Sequence, residues 1–204
     1  LNATAAIKID LNKIEELGSL YDDYVLPLRI TSSTGEPMGQ NKYTKVLAHI
    51  GFKNDYSGTY SGKGIITQQG TTYTTEITST QLYAINNNIC YMFVGEKTRA
   101  NTPEYLNYVV EIKRDEWGGI TLSSEVGSLE FKSYNSKLSR KYTYNYNDLR
   151  YYTEITTVEL AYEYLDKTQS EDLRMTFEGS FSMSRDVLRV EYPNVCLLYT
   201  SDAA

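Results

Sequence analysis

The chain has 204 residues, enough for one large domain or two small ones, and its hydrophobic share of 41% suits a globular protein. It carries 26 acidic and 20 basic residues, a net charge of −6, scattered rather than in blocks; this excludes the basic stripe that a nucleic-acid surface needs. No run of about eighteen apolar residues exists, so no helix is long and apolar enough to cross a membrane.

Period-two alternation starts at the front. In "AAIKIDL", Ile7, Ile9 and Leu11 share a face and predict a strand, and "NKIEELGSLYDD" predicts a short helical turn capped by Asn12 and stopped by Gly18. "YVLPLRI" predicts an edge strand with Tyr24, Leu26, Leu28 and Ile30 on one side, because Pro27 cannot donate to a ladder. After the loop "SSTGEPMGQN", "KYTKVLAHIGF" predicts a third strand.

From "NDYSGTYSGKGIITQQG" onward the pattern is one of hairpins. Gly58, Gly62 and Gly64 share a face with Tyr56, Tyr60 and Ile66, and glycines on one face let a strand bend as a closing barrel requires. "TTYTTEITS" and "ICYMFVG" flank a turn at Asn86 to Asn88. In "YLNYVVEIKRD" the predicted inward residues are Leu106, Tyr108, Val110 and Ile112; "EWGGITLSS" predicts a hairpin in which Gly118 and Gly119 supply positive φ. "GSLEFKS" and "RKYTYNYND" predict two more strands. The apolar register of "RYYTEITTVELAYEYLDK" slips by one between Ile155 and Val158, which predicts a bulge. "LRMTFEGSFSM" alternates, with Leu173, Met175, Phe177, Phe181 and Met183 inside and Arg174, Thr176, Glu178, Ser180 and Ser182 outside. About eight antiparallel strands without a crossover helix predict an all-β chain built on an up-and-down barrel.

Tyrosine is the outlier, with 20 Tyr against five Phe and one Trp. Its ring packs while its hydroxyl reaches water. "YTYNY" sets Tyr142, Tyr144 and Tyr146 on one strand face with Asn145 opposite, and Trp117 sits at a hairpin tip. Aromatic rings stack on the C–H faces of sugars and amides pair with their hydroxyls, so these five are the candidate carbohydrate-binding residues. The competing expectations are cross-strand tyrosine packing, and a Trp117 that folds back on its own sheet.

Catalytic chemistry finds little support. His49, the one histidine, is expected on a strand surface rather than as a base beside a nucleophile. Asp115 and Glu116, and Glu154 and Glu159, are expected as solvated strand acids rather than a glycosidase pair. No His/Cys cluster has metal-ligand spacing, and "SGTYSGKG" departs from the phosphate-loop pattern. The sequence therefore predicts no catalytic residue, no metal and no cofactor. Cys90, in "NICYMFVG", is expected as a small buried hydrophobe, and the bulky inward residues predict a filled barrel rather than a ligand cavity.

"AAIKIDLNKIEELGSLYDDYVLPLRITSSTGEPMGQNKYTKVLAHIGF" resembles the C-terminal part of an immunoglobulin-like domain common at the front of Bacteroidetes surface lipoproteins; "YVLPLRITSSTG" and "KYTKVL" carry that resemblance. "YSGTYSGKGIITQ" through "FEGSFSMSRDVL" resembles the lipocalin-like barrel domain of unknown function that often follows it. The resemblance implies residues 1–52 as a sandwich truncated at its front and 53–195 as the barrel. It also implies an exported protein, lipid-anchored through a cysteine upstream of Leu1, facing outward from the outer membrane beside a polysaccharide-utilisation system. It brings no catalytic residues. The function expected is a non-catalytic glycan-binding accessory whose partners are polysaccharide or oligosaccharide and outer-membrane uptake proteins. The alternative is a structural or protein-interaction module of the outer-membrane surface.

The last nine residues, "CLLYTSDAA", resemble the in-frame translation of a transposase sequencing adapter, codon for codon. Residues 196–204 are therefore expected to be a non-native tail of a metagenomic fragment, leaving Cys90 as the only natural cysteine.

Overall fold

The structure, a computed structural model, describes residues 24–29, 45–98, 104–115, 117, 119–167 and 172–189. The chain divides into two compact units, Leu1–Phe52 and Lys53–Ala204. The predicted "AAIKIDL" strand, the turn after it and the "CLLYTSDAA" tail lie outside the described residues.

In the first unit β1 (Tyr24–Arg29) pairs antiparallel with β2 (Lys45–Ile50), setting Pro27 opposite Leu47. Leu26 and Leu28 are half-buried while Val25, Pro27 and Arg29 are exposed, the alternation a one-sided strand demands. His49 sits in β2 opposite Val25, and its side chain lies outside the described residues.

The second unit holds β3 (Gly58–Gln68), β4 (Thr74–Ala84), β5 (Ile89–Phe93), β6 (Val109–Arg114), β7 (Ile120–Ser123), β8 (Lys132–Ser133), β9 (Lys137–Tyr144), β10 (Tyr151–Asp166) and β11 (Leu173–Leu188). They form one antiparallel sheet in the order β7-β6-β5-β4-β3-β11-β10-β8, with β9 also on β10. An antiparallel bridge between Gly119 and Lys137 joins the β6–β7 hairpin to β9, so the sheet curls into a nearly closed barrel. The fold is all-β, as the alternation predicts.

Its curvature comes from a glycine–aromatic interlock. Gly62, Gly64 and Ile66 on β3 lie opposite Phe181, Gly179 and Phe177 on β11. The rings of Tyr162 and Phe177 stack with centroids 4.8 Å apart, and those of Phe177 and Phe181 are near-parallel at 6.1 Å. A Cβ on Gly64 would stand 2.6 Å from the Phe177 ring and 2.8 Å from that of Phe181, and one on Gly179 would stand 2.6 Å from Phe181. The rings occupy the volume that side chains would have filled, so β3 and β11 bend together over a sealed core.

Three local expectations are corrected. β10 carries no bulge: it pairs with β11 in unbroken register over sixteen residues, and every second residue from Tyr152 to Tyr164 is buried. The apparent slip arose because two inward positions hold polar residues, Glu154 and Thr156. The sheet's register shift lies instead between β3 and β4, at Ser61/Gly64. Gly119 does not adopt positive φ; a side chain there would meet the Asp115 carboxylate, whose Oδ1 accepts the Trp117 and Gly119 N–H groups at 2.9 and 2.7 Å. Leu106 is exposed, because Tyr105–Tyr108 forms a 3₁₀ turn and the inward strand starts only at Val109.

Cys90 is fully buried, with Asn54 Nδ2 donating to its Sγ at 3.2 Å. Burial pushes its thiol up to about 12, with the Asn54 hydrogen bond pulling the other way. A raised pKa leaves almost no thiolate at neutral pH. In a Cys196→Ser variant we expect Cys90 to stay unlabelled by a disulfide reagent at pH 8 and to react fully in denaturant; rapid native labelling would contradict its burial.

Candidate functional site

The five residues proposed for sugar binding do not form one site. β9 ends at Tyr144, so Tyr146 falls in the turn leading to β10 rather than on the strand. Trp117 is 93% exposed at the β6–β7 tip and does not fold back on its sheet. Its hairpin touches β9 at Lys137, seven residues before Tyr144, about 23 Å away at a strand rise of about 3.3 Å per residue.

Tyr142, Tyr144 and Asn145 are half-buried. Asn145 Oδ1 accepts the N–H groups of Asn147 and Asp148 at 3.0 and 3.2 Å, so its oxygen builds the turn instead of facing a ligand. That turn presents Tyr146, 84% exposed, with its ring 6.4 Å from Tyr144. Tyr144 in turn lies 5.7 Å from the buried Tyr152, and the Arg189 guanidinium covers both rings at 5.7 and 5.1 Å. Beside them Arg150 forks onto Asp148, Nη2 to Oδ2 at 2.6 Å and Nε to Oδ1 at 2.9 Å. Those hydrogen bonds hold the Asp148 carboxyl down at about 2. The result is an exposed ring on an aromatic base, edged by a fixed cation and a fixed anion.

Tyr142 faces the barrel interior, where sequence reasoning saw only a solvated acid. Glu154, opposite it on β10, is 0% exposed. Its Oε1 accepts from Arg185 Nε at 2.7 Å and from the Thr156 hydroxyl at 3.4 Å; its Oε2 stands 3.9 Å from Arg140 Nη1. Asp55, just before β3, completes the group at 3.3 Å from Arg140 and 3.8 Å from Arg185. Although burial alone would lower it, Glu154 and Asp55 raise the Arg140 pKa above its usual value. Burial raises the Tyr142 hydroxyl, and the Glu154 carboxylate pushes it the same way. Arg140 Nε and Nη2 and Glu154 Oε2 have no hydrogen-bond partner, and the cluster is sealed from solvent at those atoms. A carboxylate so enclosed cannot reach a glycosidic bond. Glu159, by contrast, sits partly exposed against Lys137 at 3.0 Å, the strand-surface acid that was expected. Among the described residues no group of three His, Cys, Asp or Glu could hold a metal ion.

The same fold occurs in solved structures. A protein of unknown function from Bacteroides ovatus superposes with a TM-score of 0.70 at 18% identity, covering 83% of this chain and 60% of its own. A second B. ovatus protein of unknown function gives 0.68 at 19% identity, covering 80% and 58%. An auxiliary nutrient binding protein from Bacteroides thetaiotaomicron gives 0.65 at 17% identity, covering 83% and 59%. This chain thus spans about three-fifths of the length of each neighbour. No curated protein sequence matches it. A family model described as "-like, C-terminal" matches residues 44–182, well over half of the chain, and the chain belongs to that family.

Proposed function

We propose that this protein is a non-catalytic accessory of polysaccharide capture, lipid-anchored on the outer face of the outer membrane, and that the β9–β10 turn is its glycan-binding surface. The observation that carries the reading is the solvent-facing Tyr146 ring, held beside Tyr144 and flanked by the Asp148–Arg150 fork. An exposed ring stacks on a sugar's apolar face, while the fork offers acceptors and donors to its hydroxyls. The fold shared with an auxiliary nutrient binding protein supports the same class of role. In affinity electrophoresis against neutral polysaccharides, Tyr146→Ala is expected to weaken retention about tenfold, as loss of one anchoring aromatic does. Trp117→Ala should leave it unchanged. Equal retention of Tyr146→Ala and the parent would remove the platform from consideration.

The rival reading, a protein-interaction module docked to an outer-membrane uptake partner, is favoured by Trp117. A fully presented indole at a hairpin tip, remote from the tyrosines, resembles an interface anchor more than part of a sugar pocket. Loss of partner capture on Trp117→Ala, with glycan retention intact, would mark it as that.

A further inference from the structure

Among the described residues, most of β4 has a partner strand on one side only. β3 pairs with it from Thr74 to Leu82, whereas among the described residues β5 meets it only at Tyr83 and Ala84. A cavity of about 500 Å³ runs along the open stretch, with Glu76 through Gln81 as one wall, Gly95 through Thr98 as the other, and Tyr83 and Phe93 at one end. A strand face contributes every second residue to a surface; six consecutive residues mean that the strand's edge, main chain included, faces the cavity. A second cavity of about 380 Å³, at the barrel mouth, shares Glu96 and Lys97 with the first and is walled by Tyr73, Tyr164 and Met175.

The turn dividing the two cavities is firmly built. Gly95 adopts φ +58°, a Cβ there would meet Tyr164 Oη at 2.5 Å, and its N–H donates to Tyr162 Oη at 3.0 Å. Lys97 is mostly buried, with Nζ 3.1 Å from Asp166 and 5.0 Å from the centre of the Tyr108 ring. Ion pairing also takes up charge along the strand, since Glu76 faces Lys63 at 2.9 Å. Thr78, Ser79 and Thr80 leave hydroxyls on alternate sides of the strand edge, each able to donate and accept, beside the edge's own backbone groups, while the Thr59 hydroxyl is already paired with the Gln81 side-chain oxygen.

We infer that the two cavities form one elongated cleft that binds a neutral, polyhydroxylated oligomer, an oligosaccharide chain, laid along the open edge of β4. An apolar ligand would strip water from those hydroxyls without replacing their hydrogen bonds. A charged ligand would compete with the Lys97–Asp166 and Lys63–Glu76 pairs. A compact molecule would fill one chamber and leave the other, whereas an oligomer crosses the dividing turn with aromatic rings near both ends. The cleft is independent of the tyrosine platform: Tyr164 and Asp166 stand at the opposite end of β10 from Tyr152.

The test is a titration of the full chain with maltohexaose, cellohexaose, xylohexaose and mannohexaose, followed by calorimetry and by amide shifts in NMR spectra, with hexagalacturonate as the charged comparison. At least one neutral hexaose should shift the amides of Thr78 to Gln81 and Gly95 to Thr98 and bind more tightly than its dimer. Ser79→Trp, which fills the slot, should weaken that binding about tenfold or more. Tyr146→Ala should leave these shifts in place. The inference is overturned if no neutral hexaose binds, if the shifts stay within Tyr144 to Arg150, if hexagalacturonate binds as well, or if only an extended peptide moves the β4 amides.

Discussion

Glu154→Leu is expected to destabilise the barrel by about 3–5 kcal/mol, the range for breaking a buried ion pair from one side. For a domain of this size that lowers Tm by about 10 °C or more. Glu154 is the hub on which two guanidinium groups converge, and removing it leaves Arg140, whose side chain is only 13% exposed, with the half-exposed Asp55 as its remaining carboxylate. Arg185 is a third exposed and can turn toward water, so the loss is carried mainly by Arg140. Glu154→Gln keeps an acceptor for Arg185 and should fall between parent and leucine. A triple variant, Glu154→Leu with Arg140→Met and Arg185→Met, should recover most of the loss, because an apolar replacement of the whole group removes the desolvation penalty along with the pairing. Thermal and denaturant unfolding of the four proteins decides it; a neutral Glu154→Leu would mean that the cluster is hydrated rather than buried.

The same residue shows where the sequence was opaque. Alternation along β3 and β11 was legible because their inward positions are apolar or glycine, and the inside and outside sets on β11 follow the pattern from Leu173 to Met183. On β10 the inward positions of Glu154 and Thr156 break the apolar pattern without breaking the strand, so periodicity suggested a bulge the structure lacks. Single-residue polarity cannot distinguish a slipped register from a buried charge whose partners come from β9 and β11. The tyrosine motif failed differently: "YTYNY" reads as five strand residues, yet Asn145 folds its side chain onto the following backbone and ends the strand after Tyr144. An Asn-x-Asn-Asp run is a turn signal that could have shown this. The β4 cleft had no local signal at all, because it exists only where two strands adjacent in sequence part company.

The second large effect expected is at the glycine face of β3, where two neighbouring glycines should respond differently to the same change. Gly64→Ala would drive its Cβ into ring atoms of Phe177 and Phe181, whereas Gly62→Ala would drive it into main chain, 2.1 Å from the Ser180 carbonyl oxygen and 2.6 Å from Phe181 Cα. Overpacking against side chains costs about 1–3 kcal/mol, and a ring can be trimmed to relieve it. Phe177→Leu alone should destabilise by losing the Tyr162 stack and part of the core, yet in its presence Gly64→Ala should cost less than in the parent, a coupling of about 1 kcal/mol across directly touching residues. No ring substitution relieves Gly62→Ala, since β11 itself would have to move away from β3 and give up the paired register from Ser61 to Gln68. Gly62→Ala should therefore be the more damaging of the two, with no rescue by Phe177→Leu. Unfolding free energies for the two double-mutant cycles separate the cases: equal and additive losses at Gly62 and Gly64 would show that the aromatic rings fill space beside the glycines without setting the bend of the barrel.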